Sequence, residues 1–248
     1  MRSHILIISF ISLLIISCKP EKQWDCTKSK GSLSSQTIAL NKPFKTIIID
    51  GYFNLKLIQD STNKIIFTGG KNLLYKASAY QRNDSLFINN KNTCNWVRSY
   101  KSAQLQAELH FTDFNYIKNL KPIDIYTDDT LYFNILTLDI WGGIGSCNLL
   151  LNCNETYLKL NAATGNYHLA GHANFNYIFS IGSGNIYTDQ LVAKKCVVIN
   201  NSNGNISFWA TDNANVEIYN TGNTYYKEYP KSIEVKKTDY ATGELLPL

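Results

Sequence analysis

Gly184-Asn185-Ile186-Tyr187-Thr188-Asp189 decides how this chain folds, because its pattern recurs on both sides. A glycine followed by a small polar residue stands at Gly145-Ser146, Gly165-Asn166, Gly184-Asn185, Gly204-Asn205 and Gly222-Asn223. Successive glycines are 20, 19, 20 and 18 residues apart. An earlier, degenerate copy, Ile123-Asp124-Ile125-Tyr126-Thr127-Asp128, matches Gly184 to Asp189 position for position.

Columns counted from the glycine are largely apolar. Two residues after it stand Cys147, Tyr167, Ile186, Ile206 and Thr224; four after it stand Leu149, Leu169, Thr188, Phe208 and Tyr226. Seven before it stand Leu138, Leu158, Tyr177 and Val197, and five before it Ile140, Leu160, Phe179 and Ile199. The last copy is one residue short, so Val216 and Ile218 take its inward places. Period-two columns of this kind describe strands with one face on a core. A unit of about 20 residues cannot bury its own face, whereas stacked copies bury one continuous core. The reading is an all-β solenoid with roughly 20-residue coils. A sandwich of hairpins with Gly-Asn turns is the competing arrangement.

Upstream, Thr46-Ile47-Ile48-Ile49, Phe53 to Leu57, Lys64 to Phe67, Ser85 to Ile88 and Leu105 to Phe111 are short alternating runs broken by Gly, Asn and Asp, and no capped amphipathic helix interrupts them. In 248 residues, 44% are hydrophobic, 12% aromatic and 17% charged, the reverse of a disordered chain. The net charge of +5 is mild, and its densest spots are only Lys194-Lys195 and Lys236-Lys237. No phosphate-binding stripe results, so nucleic acid is not an expected partner.

The amino terminus gives an address. Arg2 and His4 precede an apolar run, Ile5 to Ile16, that ends in Ser17-Cys18. A basic start, a short h-region and a small residue before the cut describe an export signal too short to span a bilayer. The cysteine directly after Ser17 resembles the bacterial lipobox. That resemblance implies a signal peptide at residues 1–17 and acylation of Cys18, with the mature chain held in the envelope membrane by several acyl chains, as stable anchoring requires. Loss of Arg2 lowers the excess to +4. Lys19, rather than Asp, favours the outer membrane over the inner. Residues 18–43 read as the lipidated cysteine and a polar tether, and residues 231–248 as a polar tail. Cys26, Cys94, Cys147, Cys153 and Cys196 remain; Cys26–Cys94 is the most plausible disulfide, and Cys147 reads as a small buried apolar residue.

Phe44-Lys45-Thr46-Ile47-Ile48-Ile49-Asp50-Gly51-Tyr52-Phe53-Asn54-Leu55-Lys56-Leu57, then Gly70-Lys71-Asn72-Leu73-Leu74, then Gly182-Ser183-Gly184-Asn185-Ile186 resemble, in that order, the head GIN domain family, labelled "putative auto-transporter adhesin". The resemblance covers residues 44–230. It implies a right-handed parallel β-helix-like solenoid without established catalytic residues. Ala163-Thr164-Gly165 and Ser202-Asn203-Gly204 depart from the family's Gly-x-Gly corner.

Chemistry is sparse. His168 and His172 have a helical metal spacing on a strand-like segment, and no C-x2-C occurs, so no metal or cofactor is expected. Asp124, Asp128, Asp129, Asp139, Glu155, Asp189 and Asp212 could serve a glycosidase or lyase, but only Asp128 and Asp189 share a repeat position, several coils apart. The expectation is a non-enzymatic adhesion, binding or scaffold module; the alternative is a carbohydrate-active enzyme on a short β-helix. Asn166, Asn185, Asn205 and Asn223 form a column whose amides can bond from coil to coil. Three after the glycine come Asn148, His168, Tyr187, Ser207 and Tyr225, flanked by Trp141. Trp141, His168, Tyr187 and Tyr225 are therefore the candidate binding face, suited to a glycan or another surface protein.

Overall fold

The computed structural model describes residues 29–93 and 105–248. Cys18, the lipobox, and the Cys26–Cys94 pair lie outside the described residues. Strand accounts for 71% and helix for 2% of the structure, arranged as a β-solenoid of about 7 turns with roughly 20-residue coils.

The first strands are β1 (Leu33–Ala39), β2 (Thr46–Gly51), β3 (Phe53–Gln59) and β4 (Lys64–Gly70), followed by a single helical turn, α1 (Lys71–Leu74). Next come β5 (Ala77–Arg82), β6 (Ser85–Asn90), β7 (Leu105–Phe111) and β8 (Tyr116–Asn119). The long strands β9 (Asp124–Ile140), β10 (Ile144–Gly182), β11 (Asn185–Ser202) and β12 (Ile206–Ile218) carry the repeat. The chain closes with β13 (Thr224–Tyr226), β14 (Ser232–Lys237) and β15 (Leu245–Pro247). From β9 onward each coil lies parallel on the one before. The early coils stack out of sequence order: β2 pairs with both β6 and β8, and β3 with both β7 and β9. The amino-terminal end is closed by antiparallel strands, β1 on β4, β4 on β7 and β5 on β6.

The glycine marks a close approach between coils. A Cβ on Gly165 (φ +116°) would lie 1.9 Å from the Gly145 carbonyl oxygen, and one on Gly204 1.9 Å from that of Gly184. Only glycine lets successive corners nest at this distance. Behind the corners, Cys147, Tyr167, Ile186, Ile206 and Thr224 are buried, as are Leu149, Leu169, Thr188 and Phe208.

The columns before the corner need a correction. Leu138, Leu158, Ile140 and Leu160 are inward, but Tyr177, Phe179, Val197 and Ile199 face outward and are half-buried. The inward residues are Asn176, Ile178 and Ser180, then Cys196, Val198 and Asn200. Thr156 bonds to Asn176, 20 residues on, yet Asn166 pairs with Asn185, 19 on. The corner at Gly182-Ser183-Gly184 is therefore one residue shorter than its predecessor. Counting back across it inverts the parity, and a one-residue slip exchanges the two faces.

Two boundaries also move. The segment read as tether contains β1, which pairs with β4 over seven positions from Leu33↔Gly70 to Ala39↔Lys64. The segment read as tail forms a further coil: β14 lies on β12, and β15 on β13. Its corner is Gly243, whose Cβ would meet the Gly222 carbonyl oxygen at 2.2 Å. Thr242-Gly243-Glu244 repeats Thr221-Gly222-Asn223 at a longer interval, which hid it.

Candidate functional site

The column after each corner is a hydrogen-bonded ladder. Asn185 Nδ2 donates to Asn166 Oδ1 at 3.3 Å. Asn185 Oδ1 accepts the Asn205 backbone N–H (2.9 Å), Asn205 Oδ1 that of Asn223 (3.0 Å), and Asn223 Oδ1 that of Glu244 (3.0 Å). At the other end, Asp124 Oδ1 accepts from both the backbone N–H and the hydroxyl of Ser146. These side chains tie one corner to the next, as amide ladders do. A groove of about 420 Å³ runs beside the ladder's first steps, lined by Pro122, Ile123, Asp124, Gly145, Ser146, Gly165 and Asn166.

Two residues beyond the ladder runs the outward stripe. Registers place Lys56 beside Tyr126, Tyr126 beside Asn148, and His168 beside Tyr187. They continue through Ser207, Tyr225 and Leu246. The His168 and Tyr187 rings are stacked, 4.5 Å apart at 12°. Ser207 is buried between Tyr187 and Tyr225, which stand two coil rises apart, about 10 Å. The Tyr225 hydroxyl accepts from Asn223 Nδ2 at 3.2 Å, which links stripe to ladder. His168, Tyr187 and Tyr225 thus share one line. Trp141 does not: it is 51% exposed on the far side of its corner, with Lys118 Nζ 5.2 Å from its ring.

Sequence reading missed a second outward aromatic patch, because the parity inversion hid it. Tyr157 lies 5.8 Å from Phe175 and 5.8 Å from Tyr177, and its hydroxyl donates to Glu155. Burial first, and then the charge of Glu217, raise the Tyr177 hydroxyl pKa.

The carboxylates are engaged separately. Asp128 pairs with Lys56 at 2.5 Å, Asp212 with Lys231 at 2.7 Å, and Asp139 accepts from Tyr116 and Asn161. Asp189 accepts from Ser207, whereas Asp129 meets Thr127 only through its backbone. Asp60 holds His110 Nδ1 at 2.8 Å, and that bond, with two from Thr62, lowers its carboxyl to about 2. Among the described residues no group of three His, Cys, Asp or Glu side chains is placed to hold a metal. Cys147, Cys153 and Cys196 are free and buried, and burial pushes each thiol up to about 12, which leaves almost no thiolate.

A family described as "putative auto-transporter adhesin, head GIN domain" matches residues 43–230. Among solved structures, a "putative adhesin" from Bacteroides fragilis NCTC 9343 is similar at TM-score 0.78 and 19% identity, covering 88% of this chain and 97% of that one. A "putative adhesin" from Parabacteroides distasonis ATCC 8503 is similar at 0.59 and 17%, covering 88% and 98%. A "putative lipid binding protein" from the same organism is similar at 0.60 and 14%, covering 88% and 97%. At these identities the likeness is one of fold. No curated protein matches the chain.

Proposed function

The chain belongs to the head GIN domain family described as "putative auto-transporter adhesin", and from that premise we propose that it is a non-catalytic adhesion module of the bacterial cell envelope. It is anchored through acylated Cys18 in the outer membrane and presents the His168–Tyr187–Tyr225 stripe to a glycan or surface protein. The observation that carries this reading is the parallel-stacked His168–Tyr187 pair, rings 4.5 Å apart at 12°, beside a ladder of amides. The edges and outer faces of such a stacked pair form a rigid apolar surface for sugar rings or apolar side chains, and neighbouring amides and hydroxyls supply hydrogen bonds. The carboxylates do not support catalysis, since Asp128, Asp139, Asp189 and Asp212 are each bound to a separate local partner rather than converging with another. Glycoside hydrolysis needs two within one substrate's reach.

The test is attachment of the chain from Lys19 to Leu248 to glycan arrays and whole cells, with Tyr187→Ala/Tyr225→Ala beside the parent. Weakened attachment with unchanged circular dichroism and melting temperature supports the stripe. Undiminished attachment by the folded double variant removes it.

A further inference from the structure

We infer that the carboxy-terminal end of the solenoid docks a second copy of this chain, β14 against β14, about a two-fold axis. The two ends of the coil stack are finished differently. The amino-terminal end is closed by antiparallel strands. At the other end, among the described residues, β14 pairs only with β12. Val198, Val216 and Val235 occupy one inward column in register. Val198 is 0% and Val216 1% exposed, but Val235 is 51% exposed. The core column therefore runs out into solvent, with Tyr240 and Leu248 also exposed at this end. An open solenoid end needs a cap, and an unpaired edge strand is a template for one.

The sequence of β14, Ser232-Ile233-Glu234-Val235-Lys236-Lys237, says what fits. Two copies related by a two-fold axis meet antiparallel. Directly opposite residues then share a face, so only registers centred on a residue keep inward opposite inward. Centring on Glu234 or on Lys236 sets like charges against each other. Centring on Val235 sets Val235 against itself, and Glu234 against Lys236 of the other copy, twice. That register alone joins the two Val235 columns while pairing opposite charges on the outer face. Beside them Ile233 lies against Lys237 of the other copy, whose long stem can cover it while the ammonium reaches water. The occupant is therefore a second copy.

The test uses the full chain extracted in detergent and oxidised mildly. Val235→Cys should give a covalent dimer on a non-reducing gel beyond that of wild type, because opposed residues of an antiparallel pair lie within disulfide reach. Glu234→Cys should not, since it faces Lys236. Adding Glu234→Lys to Val235→Cys should cut the dimer band about tenfold, and adding Lys236→Glu as well should restore it. Circular dichroism of each variant verifies folding. No excess dimer from Val235→Cys, equal dimer from Glu234→Cys, or failure of the charge swap to restore the band overturns the inference. All of these outcomes are independent of whether the tyrosine stripe binds anything.

Discussion

Thr156 donates its hydroxyl proton to Asn176 Oδ1 at 2.9 Å, one full coil further along the chain and inside the core. Asn176 Nδ2 then donates to Thr188 (3.2 Å), whose hydroxyl donates to the Ser207 carbonyl (3.0 Å). Asn200 extends the same interior logic, donating toward the Gly204 and Gly222 carbonyls while accepting from Ser202. The repeat's interior is thus partly a polar network, and it holds because its members satisfy one another.

Removing one member should be expensive. Asn176→Ala leaves the Thr156 and Thr188 hydroxyls short of partners in a buried site, a cost of about 2 kcal/mol. Urea denaturation should show the midpoint falling with little change in slope.

Two adjacent valines test the corrected parity. Val198 is fully buried and Val197 faces out. Val198→Asp buries an unpaired charge and should abolish the folded circular-dichroism spectrum, whereas Val197→Asp should fold. The reverse pattern, with Val197→Asp unfolding and Val198→Asp folding, would return the register to the uninverted count.

How far the sequence could be read follows from the same corner. The glycine fixes what comes after it, because Ile186 and Ile206 are reached without crossing an irregularity, and both are buried. What comes before it is reached only by crossing a corner whose length varies, and there Asn176 was lost to Tyr177. The His168–Tyr187 contact was legible as a column. Trp141 was not placeable, since nothing local says which side of a corner a side chain takes. β1 and β14 were hidden by polar composition, as edge strands with few buried positions resemble loops.

Corner glycines should differ in tolerance. Gly204→Ala forces a Cβ to within 1.9 Å of a carbonyl oxygen, while the nearest atom at Gly184 is 3.1 Å away. Gly204→Ala should cost about 3 kcal/mol and Gly184→Ala clearly less, read as melting temperatures.

Acid should loosen the Asp60 site in a defined window. Its carboxyl falls from an ordinary 3.8 to about 2 in the fold, chiefly through His110. A depressed carboxyl contributes stability above its unfolded value and loses it as pH falls from about 4 to 2. Asp60→Asn should flatten the decline in melting temperature across that window.

The lipobox has its own check. Cys18→Ser should abolish labelling by radioactive palmitate and release the protein from membranes. Labelled, membrane-bound Cys18→Ser protein would dismiss the anchor.

The antiparallel seam of β1 on β4 has a mechanical consequence. A pull applied through the amino-terminal segment reaches Leu33 first, and the coils beyond lie in series behind it, so each would carry the whole load. β1 contributes few buried side chains, whereas the strands behind it are rooted in the core. The seam is therefore the link built to slip. Its release frees seven residues, about 20 Å of slack at extended-chain spacing. By paying out this slack the seam would cap the force passed on to the coils behind it.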